Sequence, residues 1–436
     1  MSGRRTVLHV ALAAAAACGG SSARPDAPPV EPDGDDPMPT EITIRVFPDL
    51  IPSYTGRTEN ANLVAFQDGD GPWVALTGTG GTYHATATGR RYGVATGCSA
   101  PAPATPPGIT FYYQSVVEGT EVLANGCRTA PTTVHVSVDL QGLTSSQTAE
   151  VWLGNQVAFA ASGLTAEIDH PAGSVDLFVR SYGPSSGGIT PTAKLYRGPT
   201  LDLSSNRTMQ VDIDALGAPP EVHPLTLIGV NPDDTTFVNS SYATPHSEVQ
   251  QFPLAVQSFT GAPDHYVTID ASMRQSADIS NILLSVTGPL VGGQSVQRVI
   301  RSAFRTPTAK TLTLPPIWGA PAPTMDRSAV PRATFTLPLM PSNLGTSDYL
   351  ATFSNPSPQR NMSVYVSQGY ALGSSSVTIT TPDLSRLPGW TASMALVPTA
   401  PVSWSVQWLD RNMRRETPAV DGRLSADSAI VGQLAP

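Results

Sequence analysis

Lysine is nearly absent: Lys194 and Lys310 are the only two in 436 residues. Charged residues make up 14 % of the chain, well under the usual quarter, and the formal charge is −9. With no basic run to neutralise a phosphate backbone, nucleic acid is excluded as a partner. Only three cysteines occur, Cys18, Cys98 and Cys127, with no CxxC pair or His-rich spacing beside them. No metal site and no cofactor is therefore expected. No apolar run reaches the roughly 20 residues a helix needs to span a bilayer. Long amphipathic helical patterns are also missing, which disfavours the α/β folds that carry dinucleotide and much hydrolase chemistry.

Glycine (37) and proline (42) are plentiful, yet apolar alternation persists between them, so turn-rich β structure is expected rather than disorder. Glu41–Val46 puts Ile42, Ile44 and Val46 on one strand face. Leu63–Gln67 and Pro72–Leu76 bracket Asp68-Gly69-Asp70-Gly71, a hairpin signal. Thr82–Thr88, Arg91–Thr96 and Thr110–Val117 follow. A second stretch repeats this order, with Val134–Val138, Ala149–Leu153, Val157–Ala160, Leu164–Asp169 and Ser174–Arg180, and Gly108-Ile109-Thr110 recurs as Gly188-Ile189-Thr190. The reading is all-β: a module over 41–130, a second over 131–218, and a C-terminal β region over 219–436 that holds one large sandwich or two. By strand count and spacing the two modules are broadly similar to immunoglobulin-like or transthyretin-like domains. That likeness implies a fold and no particular activity. In the C-terminal region, Thr311–Leu314 leading to Trp318-Gly319 looks related to Val377–Thr380 leading to Gly389-Trp390.

The N-terminal segment carries Arg4 and Arg5, an apolar stretch of about eleven residues, and Ala15-Ala16-Ala17-Cys18, the layout of a secretory signal. These first residues resemble the lipobox of bacterial lipoproteins. In that family the residue at Cys18 is thioether-lipidated and becomes the new N-terminus; the family's usual leucine is Ala15 here. The resemblance implies a signal peptide over 1–17 and a membrane anchor at Cys18, with Gly19-Gly20 pointing to the outer membrane. Ala15-x-Ala17 is also an ordinary signal-peptidase site, so a periplasmic or secreted product stays open. Without residues 1–17, which hold Arg4, Arg5 and no acid, the basic count falls from 25 to 23 against 34 acids, a charge of −11. Residues 18–40, rich in Pro, Gly, Ser and Asp, read as a disordered tether with an average span on the order of 25 Å. Export brings an oxidising compartment, in which Cys98 and Cys127 are expected to pair.

Candidate chemistry is sparse. Gly183-Pro184-Ser185-Ser186-Gly187 fits G-x-S-x-G, but Gly188 and Pro191 leave no room for the helix that a nucleophile needs. Asp68-Gly69-Asp70-Gly71 opens like a calcium loop and fails at Pro72 and Trp73. Asp169-His170 and Asp264-His265 are neighbours, and alternation in a strand sends neighbours to opposite faces. Asp212 and Asp214 alternate with Val211 and Ile213 and so share a face. Trp404, Val406 and Trp408 share a strand face: a core stripe, or a platform on which sugar rings stack; Trp318 and Trp390 are a second such pair. Trp73 and Trp152 read as core residues. No catalytic residue is assigned. The expectation is an exported, lipid-anchored envelope protein with a structural, adhesive or ligand-binding role, its partners being the membrane and an extracellular polysaccharide or protein. The alternatives are an exported hydrolase with its site in 219–436 and a glycan-binding module.

Overall fold

Wherever apolar residues alternate, the chain extends, and the buried positions fall on every second residue: Val136, Val138 and Leu140 in one strand, Tyr349, Ala351 and Phe353 in another. The computed structural model describes residues 39–47, 61–99, 107–127, 133–144, 147–154, 156–161, 163–183, 192–246, 251–288, 295–371, 373–413 and 420–436. Pro39–Pro436 form a unit of their own. The export segment, Cys18, nearly all of the tether and Pro184–Pro191 lie outside the described residues.

Among the described residues the strands fall into four sets of seven. The first is β1 (Thr40–Phe47), β2 (Leu63–Asp68), β3 (Val74–Ala75), β4 (Thr82–Ala87), β5 (Arg91–Cys98), β6 (Gly108–Ser115) and β7 (Glu121–Asn125). The second is β8 (Thr133–Gln141), β9 (Thr148–Leu153), β10 (Gln156–Ala161), β11 (Thr165–Pro171), β12 (Gly173–Tyr182), β13 (Thr192–Leu203) and β14 (Arg207–Asp212), closed by one helical turn, α1 (Ile213–Leu216). The third is β15 (Glu221–Ile228), β16 (Thr235–Ala243), β17 (Phe252–Thr260), β18 (His265–Thr268), β19 (Ile279–Thr287), β20 (Ser295–Phe304) and β21 (Lys310–Thr313). The fourth is β22 (Thr324–Asp326), β23 (Arg332–Pro338), β24 (Thr346–Pro356), β25 (Gln359–Ser367), β26 (Ser376–Thr380), β27 (Val402–Arg411) and β28 (Leu424–Leu434).

The first three sets share one topology. In each, the first strand lies between the fourth and the last: β4-β1-β7, β11-β8-β14 and β18-β15-β21. The pairing of first with last is parallel every time. The second sheet of each runs third-second-fifth-sixth: β3-β2-β5-β6, β10-β9-β12-β13 and β17-β16-β19-β20. A constant-type immunoglobulin sheet pairs its first strand with its second; in these three sets the first strand lies between the fourth and the last, so they share the β-sandwich architecture with a different strand order. The fourth set takes the immunoglobulin-like order instead, with β22-β23-β26 in one sheet and β28-β27-β24-β25 in the other. Thr311–Leu314 and Val377–Thr380 are therefore not equivalent: β21 is the last strand of its set and β26 the fifth.

The sets do not follow one another like beads. β20 pairs antiparallel with β28 over eight residue pairs from Ser295↔Val431 to Ser302↔Leu424. β25 pairs in parallel with β6, from Asn361↔Gly108 to Val366↔Tyr113. Three half-sandwiches thereby fuse into one twelve-stranded sheet in which the last set sits between the third and the first. One core lies on a face of this sheet under β23 and β26, centred on Trp318, Phe335, Phe353 and Trp408. On the same face further along, β15 and β21 cover Leu284 and Ile300. A separate core on the opposite face joins β1, β4 and β7 to β2, β5 and β6 through Ile42, Ile44, Tyr92 and Tyr112.

Cys98 and Cys127 are bonded, with Cα atoms 5.3 Å apart. The bridge ties the end of β5 to the segment after β7, closing a loop whose entropic contribution is about 3 kcal/mol.

Candidate functional site

A buried polar constellation lies where the second set meets the third. Alternation along β12 sends Val175, Leu177 and Val179 into their own core, and Asp176, Phe178, Arg180 and Tyr182 to the other face. There Phe178 stacks on Phe252, with ring centroids 4.9 Å apart, within a cluster that includes Leu195, Tyr242, Leu254, Val267 and Ile269. Arg197 of β13, its side chain 1 % exposed, faces two buried carboxylates, Asp176 Oδ2 and Asp278 Oδ2, each at 3.3 Å. Tyr242 donates its hydroxyl proton to Asp278 Oδ2 at 2.6 Å, and the Gln275 N–H donates to the same oxygen at 3.0 Å. Thr200 donates to Asp176 Oδ1, whereas Asp176 Oδ2 has the guanidinium charge nearby without a well-directed hydrogen bond. Burial and the Asp278 charge push the Tyr242 phenol well above its ordinary range, so it remains a donor.

A second buried pair lies on the same face of β12. Arg180 donates to Glu150 Oε2 through Nε (3.0 Å) and Nη2 (2.6 Å), and Trp152 Nε1 donates to that oxygen at 3.0 Å. Tyr182 donates to Glu150 Oε1 and lies under the Arg180 guanidinium, 4.7 Å from centroid to Cζ. Both constellations act as fasteners: the charge-assisted Arg197–Asp278 pair joins the second set to the third, while the Arg180–Glu150 pair braces β9 against β12 within the second set. Sequence reading missed both; a run of polar residues alternating with Val175, Leu177 and Val179 on an otherwise apolar strand was the available signal.

The sequence-derived candidates are dispersed. Trp404 is 5 % exposed, Trp408 is fully buried and Trp318 is 2 % exposed, all within one core, while Trp390 packs half-buried against it. Neither tryptophan pair offers a face to a sugar, so the stacking role for Trp404 and Trp408 is withdrawn. The cause is the β23–β26 sheet, which covers that side of β27; Gly432 on β28 leaves the space in which the Trp404 ring lies. Trp73 packs against Phe111 and Tyr113, and Trp152 against the Phe178 cluster.

Asp68 accepts from the Thr88 N–H (3.0 Å) and hydroxyl, and Asp70 pairs with Arg91, so the DGDG segment is a braced hairpin whose acids are separately engaged. Asp212 and Asp214 do not share a strand face: β14 ends at Asp212, whose Oδ1 caps α1 by accepting from the Asp214 and Ala215 N–H groups, while Asp214 pairs with Lys194. Asp169 and His170 do face apart. The Asp264-His265 pair departs from the rule, because β18 begins at His265 and Asp264 lies outside it. Its carboxylate meets His265 Nδ1, which holds the acid below its usual range, and Gln257 sits 2.7 Å from Nε2. His223 is elsewhere engaged, stacked on Tyr266 and 3.0 Å from Thr268 Oγ1. Among the described residues, no three His, Cys, Asp or Glu side chains are grouped as metal ligands would be.

On the outer face of β8 and β11, His135 lies between two carboxylates, with Nδ1 2.9 Å from Asp169 and Nε2 2.8 Å from Glu167. The Asp169 hydrogen bond chiefly, and then Glu167, raise its pKa above the ordinary histidine value. A raised folded-state value means that the imidazolium contributes its stability below the unfolded pKa, about 6.5, and loses it as pH rises through the folded value. NMR titration of the His135 ring is expected to give a midpoint above 6.5, moving down in Asp169→Asn and Glu167→Gln. An unmoved midpoint in both variants would discard this pairing.

No protein-family model matches this chain, and no curated protein matches it. Among solved structures, the chain is similar to the FN1-FN3 domains of chicken CNTN1: 12 % identity, covering 64 % of this chain and 86 % of that one, TM-score 0.15. It is also similar to a streptococcal ancillary pilin: 7 % identity, covering 64 % and 99 %, TM-score 0.15. Both likenesses are too slight to carry function. The chain is an all-β, tandem β-sandwich protein.

Proposed function

We propose that this chain is an exported, lipid-anchored cell-envelope protein whose sandwiches form a stiff, non-catalytic body with a structural or adhesive role, engaging an extracellular polysaccharide or protein. The observation that carries this reading is the twelve-stranded sheet. Two edge-to-edge ladders bind the last set to the third and the first, so load applied at one end of the sheet passes through backbone hydrogen bonds rather than through linkers. The buried Arg197–Asp278 ion pair ties the second set to the third. The Cys98–Cys127 bond supports an oxidising destination. Cys18 supplies the anchor in this reading, with the outer membrane as the destination.

Metabolic labelling with an alkyne fatty acid tests the anchor. The wild type is expected to incorporate label and sediment with membranes, and Cys18→Ala to lose both properties. An unlabelled, soluble wild type that starts near residue 18 would refute the anchor and move the protein to the periplasm or the medium.

A further inference from the structure

β3, β10 and β17 are equivalent: each is the third strand of its set and, among the described residues, the open end of its sheet. Open sheet edges template pairing with other strands, and proteins blunt them by shortness, proline or charge. β3 is two residues long, and β17 carries Pro253. β10, Gln156-Val157-Ala158-Phe159-Ala160-Ala161, has six residues with no proline and no charge. It also displays apolar side chains, with Phe159 70 % and Val157 39 % exposed, and Leu164 in the following turn 58 %. The nearest acid on the neighbouring strand, Glu150 opposite Phe159, is buried and neutralised by Arg180.

We infer that β10 is a self-association edge, on which a second copy of this chain adds its own β10 antiparallel. The strand is self-complementary. A two-fold axis through Ala158 sets Val157 beside the second copy's Phe159 and Phe159 beside the second copy's Val157. All four side chains then lie on one face, as aromatic and β-branched cross-strand pairs. No charge of either copy enters the contact, so the net charge of the chain does not oppose it locally. An isologous contact of this kind closes at two copies and does not propagate. The chain already uses edge pairing twice within itself, at β20–β28 and at β6–β25. Burying Phe159, Val157 and Leu164 in both copies removes on the order of 600 Å², below the roughly 1,200 Å² of a standard stable interface. The dimer is therefore weak in solution and favoured where copies are crowded, as on a surface.

The test is sedimentation equilibrium of the full exported chain bearing Cys18→Ala, which leaves the edge intact, from about 1 to 200 µM. The weight-average mass is expected to rise toward twice the monomer. Phe159→Lys and, separately, Val157→Lys are expected to weaken association at least about tenfold, with unchanged circular dichroism and melting. Val117→Lys, which removes another exposed apolar side chain at a remote turn, is expected to associate like the parent. A parent that stays monomeric throughout the range, or folded lysine variants that associate as the parent does, would overturn the inference.

Discussion

Replacing Gly108 with valine is expected to release the first seven strands from the last seven. Gly108 opens β6 where it meets β25, and a Cβ there would lie 2.2 Å from the Asn361 carbonyl oxygen. That contact is with backbone, so relief requires the two strands to move apart. The neighbouring contacts are all of the kind such movement breaks. The Asn361 N–H donates to the Pro107 carbonyl at 3.1 Å, Tyr112 stacks on Tyr365 at 5.3 Å, and the Gly369 N–H donates to Glu118 at 2.7 Å. The cost is expected to be about 2–4 kcal/mol, in the range of overpacking a well-filled site. It appears in calorimetry as an early transition of the first set, split from the unfolding of the rest. Gly108→Ala shifts in the same direction by less. A valine variant with the parent's single profile would show that the β6–β25 ladder does not couple the sets.

Arg197→Met is expected to be as damaging at the other junction. It leaves Asp176 and Asp278 buried without their cation, and breaking a buried ion pair from one side costs about 3–5 kcal/mol. Tyr242→Phe removes one donor from Asp278 and leaves Arg197 and Gln275 in place, so about 1–2 kcal/mol is expected. The triple variant Arg197→Met, Asp176→Asn, Asp278→Asn removes both orphaned charges with the cation and is expected to recover part of the loss. Urea midpoints read all three. An Arg197→Met unfolding free energy within about 0.5 kcal/mol of the parent's would mean that the cluster contributes no net stability.

Where one strand face was buried and the other solvated, the sequence was readable: β1, β8, β11 and β27 carry clean alternation, and the first two sets emerged as a repeat. The third occurrence stayed hidden for a physical reason. β16, Thr235–Ala243, buries Thr236, Ser240 and Ser241, and β19 buries Ser280, Asn281 and Ser285. Several find partners inside the fold: Thr236 donates to the Gly261 carbonyl and Ser240 accepts from the Val267 N–H. Polar residues in a strand covered on both sides erase the period-two signal. The edge-to-edge joins were equally silent, because a backbone ladder needs no particular side chain. Long-range contact decided between the two tryptophan readings in favour of the core stripe: nothing local to Trp404 and Trp408 announces the sheet of β23 and β26 that covers them.

Hydrogen exchange followed by mass spectrometry tests the fused sheet most directly. Amides of Gly108–Ser115 and Gln359–Ser367 are expected to be protected to the same depth as those of Val402–Arg411 at the sheet centre, because β6 and β25 are interior strands. In Gly108→Val, both segments lose protection together while Val402–Arg411 keeps it. Fast exchange across β6 and β25 in the wild type, at the rate of an open edge, would contradict the continuous sheet and return the protein to separate sandwiches on a string.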